Sequence, residues 1–527
     1  MLRSFFFISL ICSALTVFGQ VAQLESSHQE YVIQFSNQQE ADSYFNQYPS
    51  YITEHKLISK SQHIYKFSLT LEAILPPSDQ YLSLQPNAVV EYRAFPNDDL
   101  FDSQWNLELI EIQKAWDIST GGVSPNGDTI VIAVLDSGCD VDHADLEKNI
   151  WKNKMEIPND NIDNDDNGYI DDHIGLNLNT GNDRHRADNH GTPVTGIIGA
   201  IGNNEEGLTG INWNVKLMIL SNVRTVAQII EAYEYVIDQR NKYERSNGAE
   251  GAYVVATNFS AGIANRFPSD FPAWCGMFNA LGETGILNVC STANANSNVD
   301  EVGDLPSLCT SPYLITVTNT NQNDEKVIAS GFSSTHVDLG APGENAPSTY
   351  SNNQYQNFNG TSSAAPHVSG VIGLIYGATG CDKFATLLSQ NKSSAALLAK
   401  ELILNFTDPL ESLNGITVSG GRLNAFKALD GIDQFCNTNT QELLISKLYP
   451  NPADQVLNIE YQTPLSNDVN LIIYNSLGQK VYETKLPSAI LNTALASVQI
   501  GYFSAGTYIL TLKSGEVVVN QKFVIIR

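Results

Sequence analysis

Gly360-Thr361-Ser362-Ser363-Ala364-Ala365-Pro366-His367-Val368-Ser369-Gly370 puts a serine on a small-residue turn directly before the apolar run Val371 to Tyr376, which the pattern predicts as a buried helix. A serine so placed is a candidate nucleophile. Serine is inert at its free pKa, so the reading requires a base nearby and a third group that orients the base. Two upstream segments offer them. Asp136 ends the apolar run Ile130 to Leu135, which reads as a buried strand, and Ser137-Gly138 follow at once. His190 opens His190-Gly191-Thr192-Pro193-Val194-Thr195-Gly196, ahead of a second apolar, helix-like stretch.

Singly these motifs are weak, because an Asp after a strand is usually a cap and Gly-Thr-Ser is usually a loop. Their order along the chain, Asp then His then Ser, is that of subtilisin and not of chymotrypsin or the α/β-hydrolases. On these residues the segment from about 100 to 435 resembles the subtilisin-like serine proteases, the subtilases. The resemblance implies a serine endopeptidase in which Ser362 attacks the peptide carbonyl, His190 carries the proton and Asp136 holds the imidazole. From Trp105 onward, β-rich apolar runs alternate with helix-like stretches such as Val226 to Tyr235, which argues for an α/β fold with a parallel sheet flanked by helices.

Other segments resemble the family's working parts. Val289-Cys290-Ser291-Thr292-Ala293-Asn294 resembles the strand that ends in the oxyanion-hole asparagine, which makes Asn294 the candidate donor. Ala293 stands where the family more often has Gly, and Asn296 lies close by. Asn258-Phe259-Ser260-Ala261-Gly262 resembles the segment that pairs with substrate as an added strand, so Ser260, Ala261 and Gly262 are expected to bind substrate, with Gly262 leaving room for a side chain.

Six aspartates lie between Asp160 and Asp172 and repel one another unless a cation is present. Asp163, Asp165, Asn167, the Tyr169 carbonyl and Asp171 match the spacing of a calcium loop, with Gly168 at its turn. Ile174 stands where an EF-hand has its bidentate Glu, so Asp160 or Asp172 is needed to complete the shell. A structural Ca2+ is therefore expected, and a solvated acidic loop is the alternative.

At 527 residues the chain is long enough for several folding units, and its formal charge of -28 argues against nucleic acid or an anionic membrane surface as partner. Residues 1–19, with Arg3 ahead of the apolar run Phe5 to Phe18, read as a secretory signal, since the run is too short to span a bilayer comfortably. Cleavage before Gln20 is expected, and Ile11 is a poor residue before a lipoprotein Cys12. Six cysteines then remain, an even number that permits disulfides without fixing their pairing. Cys275 with Cys309 and Cys381 with Cys436 are the candidate pairs, and Cys290 equally reads as a buried thiol.

Residues 20–98 carry strand-like segments at Tyr31 to Phe35, Ile64 to Phe67 and Val89 to Tyr92, and form a small α+β domain. In subtilases that position holds a propeptide, so the resemblance implies a zymogen, with a permanently attached domain as the alternative. The catalytic domain is expected over 99–436 and a polar linker over 437–446. Residues 447–527 show short strands between Asn, Gly and Ser turns, as in a β-sandwich. Tyr449-Pro450-Asn451-Pro452-Ala453, Leu477-Gly478-Gln479 and Ala505-Gly506-Thr507-Tyr508 resemble the C-terminal sorting domain of type IX secretion. That implies the type IX machinery as partner and export through the periplasm to the cell surface or medium, with a carbohydrate- or protein-binding β-module as the alternative. The rival to a protease is a catalytically silent adhesin on the same fold. An esterase is disfavoured because Gly360 to Ala364 lack the Gly-x-Ser-x-Gly elbow.

Overall fold

The computed structural model describes residues 29–69, 80–87, 95–437, 443–462, 469–486, 494–515 and 517–526. The expected signal segment, the strand-like Val89 to Tyr92 and residues 438–442 of the expected linker lie outside the described residues. The chain divides into two compact units, Met1–Tyr92 and Arg93–Arg527.

In the first unit, the strands run in the antiparallel order Ile52–Ser59, Ile64–Leu69, Gln29–Gln34, Ser83–Pro86. The helix Gln38–Gln47 starts where the Asn37 side chain accepts from the Glu40 amide at 3.0 Å, satisfying a donor that the first turn leaves open. Its Tyr44 and Phe45 join Phe35, Tyr65 and Phe67 in a core of its own.

The second unit is built on a nine-stranded sheet. Its strands are β1 (Ile130–Leu135), β2 (Gly175–Asn177), β3 (Lys216–Ser221), β4 (Tyr253–Phe259), β5 (Leu287–Ser291), β6 (Leu314–Thr320), β7 (Leu339–Pro342), β8 (Asp408–Pro409) and β9 (Gly421–Arg422), in the spatial order 8-9-7-6-5-4-1-3-2. All pairs are parallel except β8 with β9. Strand β1 is apolar at every position because both faces of the sheet are covered. Ile130, Ile132 and Val134 point into one core, Val131, Ala133 and Leu135 into the other.

Helices α1 (Gly191–Gly199) and α4 (Thr361–Tyr376) pack into the first core, while α2 (Val226–Ser246) and α3 (Pro272–Glu283) pack into the second. Helix α2 is nucleated by a capping box, in which Thr225 Oγ1 accepts from the Gln228 amide at 3.3 Å and Gln228 Oε1 from the Thr225 amide at 3.2 Å. Among the described residues, no helix is long and apolar enough to cross a membrane.

The C-terminal strands form a three-stranded sheet (Leu444–Tyr449, Val456–Gln462, Ala494–Gln499) and a four-stranded one (Val469–Asn475, Lys480–Leu486, Gly506–Ser514, Val517–Ile525). Both sheets feed one apolar cluster drawn only from residues 443–525, which is the expected β-sandwich. Its first strand begins at Leu444, inside the segment expected as linker, because Ile445 and Leu448 are buried in that cluster.

Candidate active site

In an open parallel sheet, ligands bind beyond the carboxyl ends of the strands, where the order switches direction. Strand β1 lies at such a point, with β3 and β2 on one side and β4 on the other. Asp136 follows β1, and Ser260 follows β4.

Asp136 is 6% exposed, and its Oδ1 accepts from the Ser137 amide (2.7 Å) and His190 Nδ1 (2.8 Å). A neutral imidazole that donates from Nδ1 keeps Nε2 as its acceptor. His190 sits at the start of α1, where its own amide donates to Asp188 Oδ1 at 2.8 Å, and Ser137 Oγ donates to the same oxygen at 2.6 Å. Burial alone would push the His190 pKa down. The Asp136 hydrogen bond and charge, with the Asp188 charge added, bring it above the ordinary imidazole value.

Ser362 is the second residue of α4, which begins at Thr361, ten residues before the apolar run that predicted a helix. All sixteen residues of α4 are buried, so small side chains there reflect close packing and not a loop. Pro366 inside the helix has no amide to give the Ser362 carbonyl. Ser260 Oγ donates to that carbonyl instead, at 3.2 Å. Ser362 Oγ in turn donates to the Ser260 carbonyl at 3.0 Å. His190 packs edge-on against Phe358, four residues before Ser362, with ring centres 5.5 Å apart. Another histidine on α4, His367, accepts from Asn106 at Nε2 and donates from Nδ1 to the Ser363 carbonyl, both at 2.8 Å. Burial pushes its pKa down to about 4, so it is a neutral packing residue with no nitrogen to spare.

Asn294 Oδ1 accepts from the Thr361 amide at 2.9 Å, while the Thr361 hydroxyl donates to the Thr292 carbonyl at 2.6 Å; this fixes the Asn294 amide group and leaves Nδ2 as its donor end. Gly360 makes this approach possible. Its φ is +102°, and a Cβ there would lie 2.9 Å from Asn294 Oδ1. Asn294, Ser362, Ser260, Ala261 and Gly262 line one cleft of about 280 Å3, whereas Asn296 is absent from its lining. Gly262 has a different cause from the one expected. A Cβ there would come within 2.2 Å of the Leu305 carbonyl, so the missing side chain admits a neighbouring backbone.

The acidic loop gathers a carboxylate set that its internal spacing does not predict. Glu156, Asp165 and Asp172 bring one oxygen each within 4.8 Å of one another. Of the expected carboxylates, Asp165 belongs to this group, as does Asp172, one of the two named to complete the shell, whereas Asp160, Asp163 and Asp171 do not. Asp163 accepts from the Asn167 and Gly168 amides, and Asp171 from the Asp160 and Asn161 amides, so both close turns of the loop itself. Asn167 Oδ1 does the same for the Tyr169 amide, while its Nδ2 donates to Asp172 Oδ2 at 2.9 Å. Lys242 of α2 reaches Asp165 Oδ2 at 3.2 Å. Glu156 Oε2 and Asp165 Oδ1 are buried with no hydrogen-bond partner, and burial raises the pKa of Glu156 and of Asp172. Oxygen-only donors with two lone buried carboxylate oxygens fit a hard dication.

Residues 127–407 match the model of the subtilase family. The chain belongs to that family. Residues 447–526 match the secretion system C-terminal sorting domain, which directs a protein to the cell surface or the extracellular space. This subtilase is 33% identical over 311 residues to subtilisin-like protease 1 of Plasmodium berghei, covering 54% of this chain and 48% of that one. It is 27% identical over 340 residues to thermitase of Thermoactinomyces vulgaris, covering 63% of this chain and 99% of that one. A solved structure of proteases from Pseudoalteromonas arctica aligns with TM-score 0.48 at 23% identity, covering 64% of this chain and 99% of that one. The chain spans about half the length of the Plasmodium berghei relative.

Both candidate disulfides of the subtilase, Cys275–Cys309 and Cys381–Cys436, are present, and Cys139 and Cys290 are buried thiols. Sequence reading missed Asp188, Ser137, Thr361, Glu156 and Lys242. Asp188 stands two residues before His190, a spacing that offered a local signal. Glu156 and Lys242 offered none, since they meet Asp165 only in the fold.

Proposed function

We propose that this subtilase is a secreted serine endopeptidase that works through an acyl-enzyme. Ser362 attacks the carbonyl, His190 takes its proton at Nε2 and passes it to the leaving amine, and Asp136 holds the tautomer. Asn294 Nδ2 and the Ser362 amide stabilise the oxyanion, the neighbouring Thr361 and Ser363 amides being taken by Asn294 Oδ1 and the Gly360 carbonyl. Ser260, Ala261 and Gly262 hold the peptide as an added strand. The observation that carries the reading is the 2.8 Å bond between His190 and Asp136 beside a cleft lined by both Ser362 and Asn294. The bond from Ser362 Oγ to the Ser260 carbonyl favours a silent adhesin, but a turn about one side-chain torsion releases the hydroxyl. A fluorophosphonate probe separates the two: an adduct on Ser362 is expected, and no adduct there would overturn the protease reading.

Asn294→Ala is expected to lower kcat by about two to three orders of magnitude, the size measured for the matching residue of subtilisin. Kinetics on Asn294→Ala beside Asn296→Ala check this, the larger loss belonging to the first.

Residues 1–19 serve as signal, 20–98 as a propeptide, 99–436 as the protease and 437–446 as the connection to the sorting domain. Export engages the type IX machinery through residues 447–527. Fractionation of cells expressing a form without 447–527 is expected to find the protein in the periplasm and none outside.

Subtilases commonly bind calcium. Here Glu156, Asp165 and Asp172 would hold a structural Ca2+, which neutralises their mutual repulsion. A ligand at a hundred times its Kd stabilises by about 2.7 kcal/mol. The melting temperature is therefore expected to fall in chelator, and Glu156→Gln with Asp172→Asn to remove most of that difference. An unchanged calcium response in the double variant would place the ion elsewhere.

A further inference from the structure

Asp304 is a buried carboxylate in the wall of the Ser362 cleft, and the chemistry above does not use it. It lies in the short strand Asp304–Leu305, which pairs antiparallel with Ile263–Ala264 just after Gly262. Among the described residues, every other one lining the cleft is Ser, Ala, Gly, Thr or Asn, and Asp304 is the single ionisable group. It is 3% exposed. Oδ2 accepts from the Ala293 amide at 3.0 Å and from Ser307 Oγ at 2.5 Å, while Oδ1 accepts nothing from the described residues. No Lys, Arg or His among them acts on it, and burial pushes its carboxyl up to about 6.

A carboxylate removed from water with two donors and no counter-ion is unfavourable, and a cation entering the cleft relieves that cost. The volume, about 280 Å3, lies below the range of about 300–1,000 Å3 usual for a whole small ligand and suits one side chain. Ser362 and Asn294, which in the protease reading grip the attacked carbonyl, share the same wall. The side chain nearest to them is that of the residue bearing this carbonyl.

We propose that Asp304 is a specificity-determining residue that selects arginine or lysine on the acyl side of the cleaved bond. The inference rests on the protease reading. It also names a cut within the chain: Arg93, the first residue of the larger unit, is the only Lys or Arg between Lys66 and Lys114. Ser362-dependent processing then yields a mature protein beginning at Ala94, which moves the start of the mature chain five residues ahead of the 98/99 boundary read from the sequence pattern.

The test uses the full chain and two peptides that differ only in Arg or Leu before the cleaved bond. The Arg peptide is expected to have the higher kcat/KM. Asp304→Asn keeps an oxygen for Ala293 and Ser307 while losing the charge, and is expected to lower the Arg-to-Leu ratio by about ten- to a hundredfold. A preference for Leu, or an equal fall on both peptides, would overturn the proposal and leave Asp304 as a loop staple. N-terminal sequencing of the processed chain adds a second reading, and a Ser362-dependent cut after a neutral residue would count against it. Binding of benzamidine, a cationic probe, by the Ser362→Ala chain needs no hydrolysis: binding that Asp304→Asn abolishes supports the proposal, and absent binding overturns it. If no peptide is cleaved the protease reading fails, and the benzamidine result still decides the role of Asp304.

Discussion

Ser362→Ala is expected to lower kcat for peptide hydrolysis by about a million-fold, the size measured for the same change in subtilisin. In the proposed mechanism the loss is large because the three residues act as a unit: without the hydroxyl, the ordered His190–Asp136 pair has no proton to move. The fold should survive. Removing Oγ deletes one hydrogen bond, to the Ser260 carbonyl, worth about 0.5–1.5 kcal/mol, while the helix that carries Ser362 keeps its packing. Steady-state kinetics and a melting curve on the same preparation check both statements. If processing is self-catalysed, the variant also stays at precursor length in a protease-free preparation. Hydrolysis retained at a hundredth of the original rate would remove Ser362 from its role.

Asp136→Asn is expected to cost about ten-thousandfold in kcat, as the equivalent change does in the chymotrypsin family, through the tautomer and not through lost packing. An amide at that position can donate to Nδ1, which puts the proton on Nε2, the nitrogen that must accept from Ser362. The pH profile carries an independent signature. The proposed base His190 works only when neutral, so kcat/KM is expected to rise with pH through its pKa, and that pKa stands above the ordinary value of about 6.5 because Asp136 holds it there. In the variant the midpoint should move down in pH while the residual rate stays low. An unmoved midpoint would show that another group sets the profile.

Much of this site is local in sequence. Asp136 follows a run of six apolar residues because β1 is covered on both faces, and His190 and Ser362 open helices whose first residues are small because they pack closely. What escaped depends on convergence. Thr361 to Ala365 carry no apolar periodicity, since every face of α4 is buried, so the helix start could not be read from pattern. The calcium-loop spacing treated the loop as self-sufficient, yet Asp163 and Asp171 spend their oxygens on its own amides, and the cluster recruits Glu156 from upstream. At Gly262 the group that excludes a side chain is the Leu305 carbonyl, forty-three residues away in sequence, a contact that no local pattern announces.

The Cys275–Cys309 bridge adds an ordering in time. The 34-residue separation it spans contains β5, Asn294 and Asp304. A cross-link over a loop of that length stabilises by about 3–4 kcal/mol in the chain-entropy model. Thiols stay reduced in the cytosol and oxidise in the periplasm. The clasp around the cleft therefore closes only after the chain has left the compartment where it was made, and a copy stranded at its birthplace lacks it.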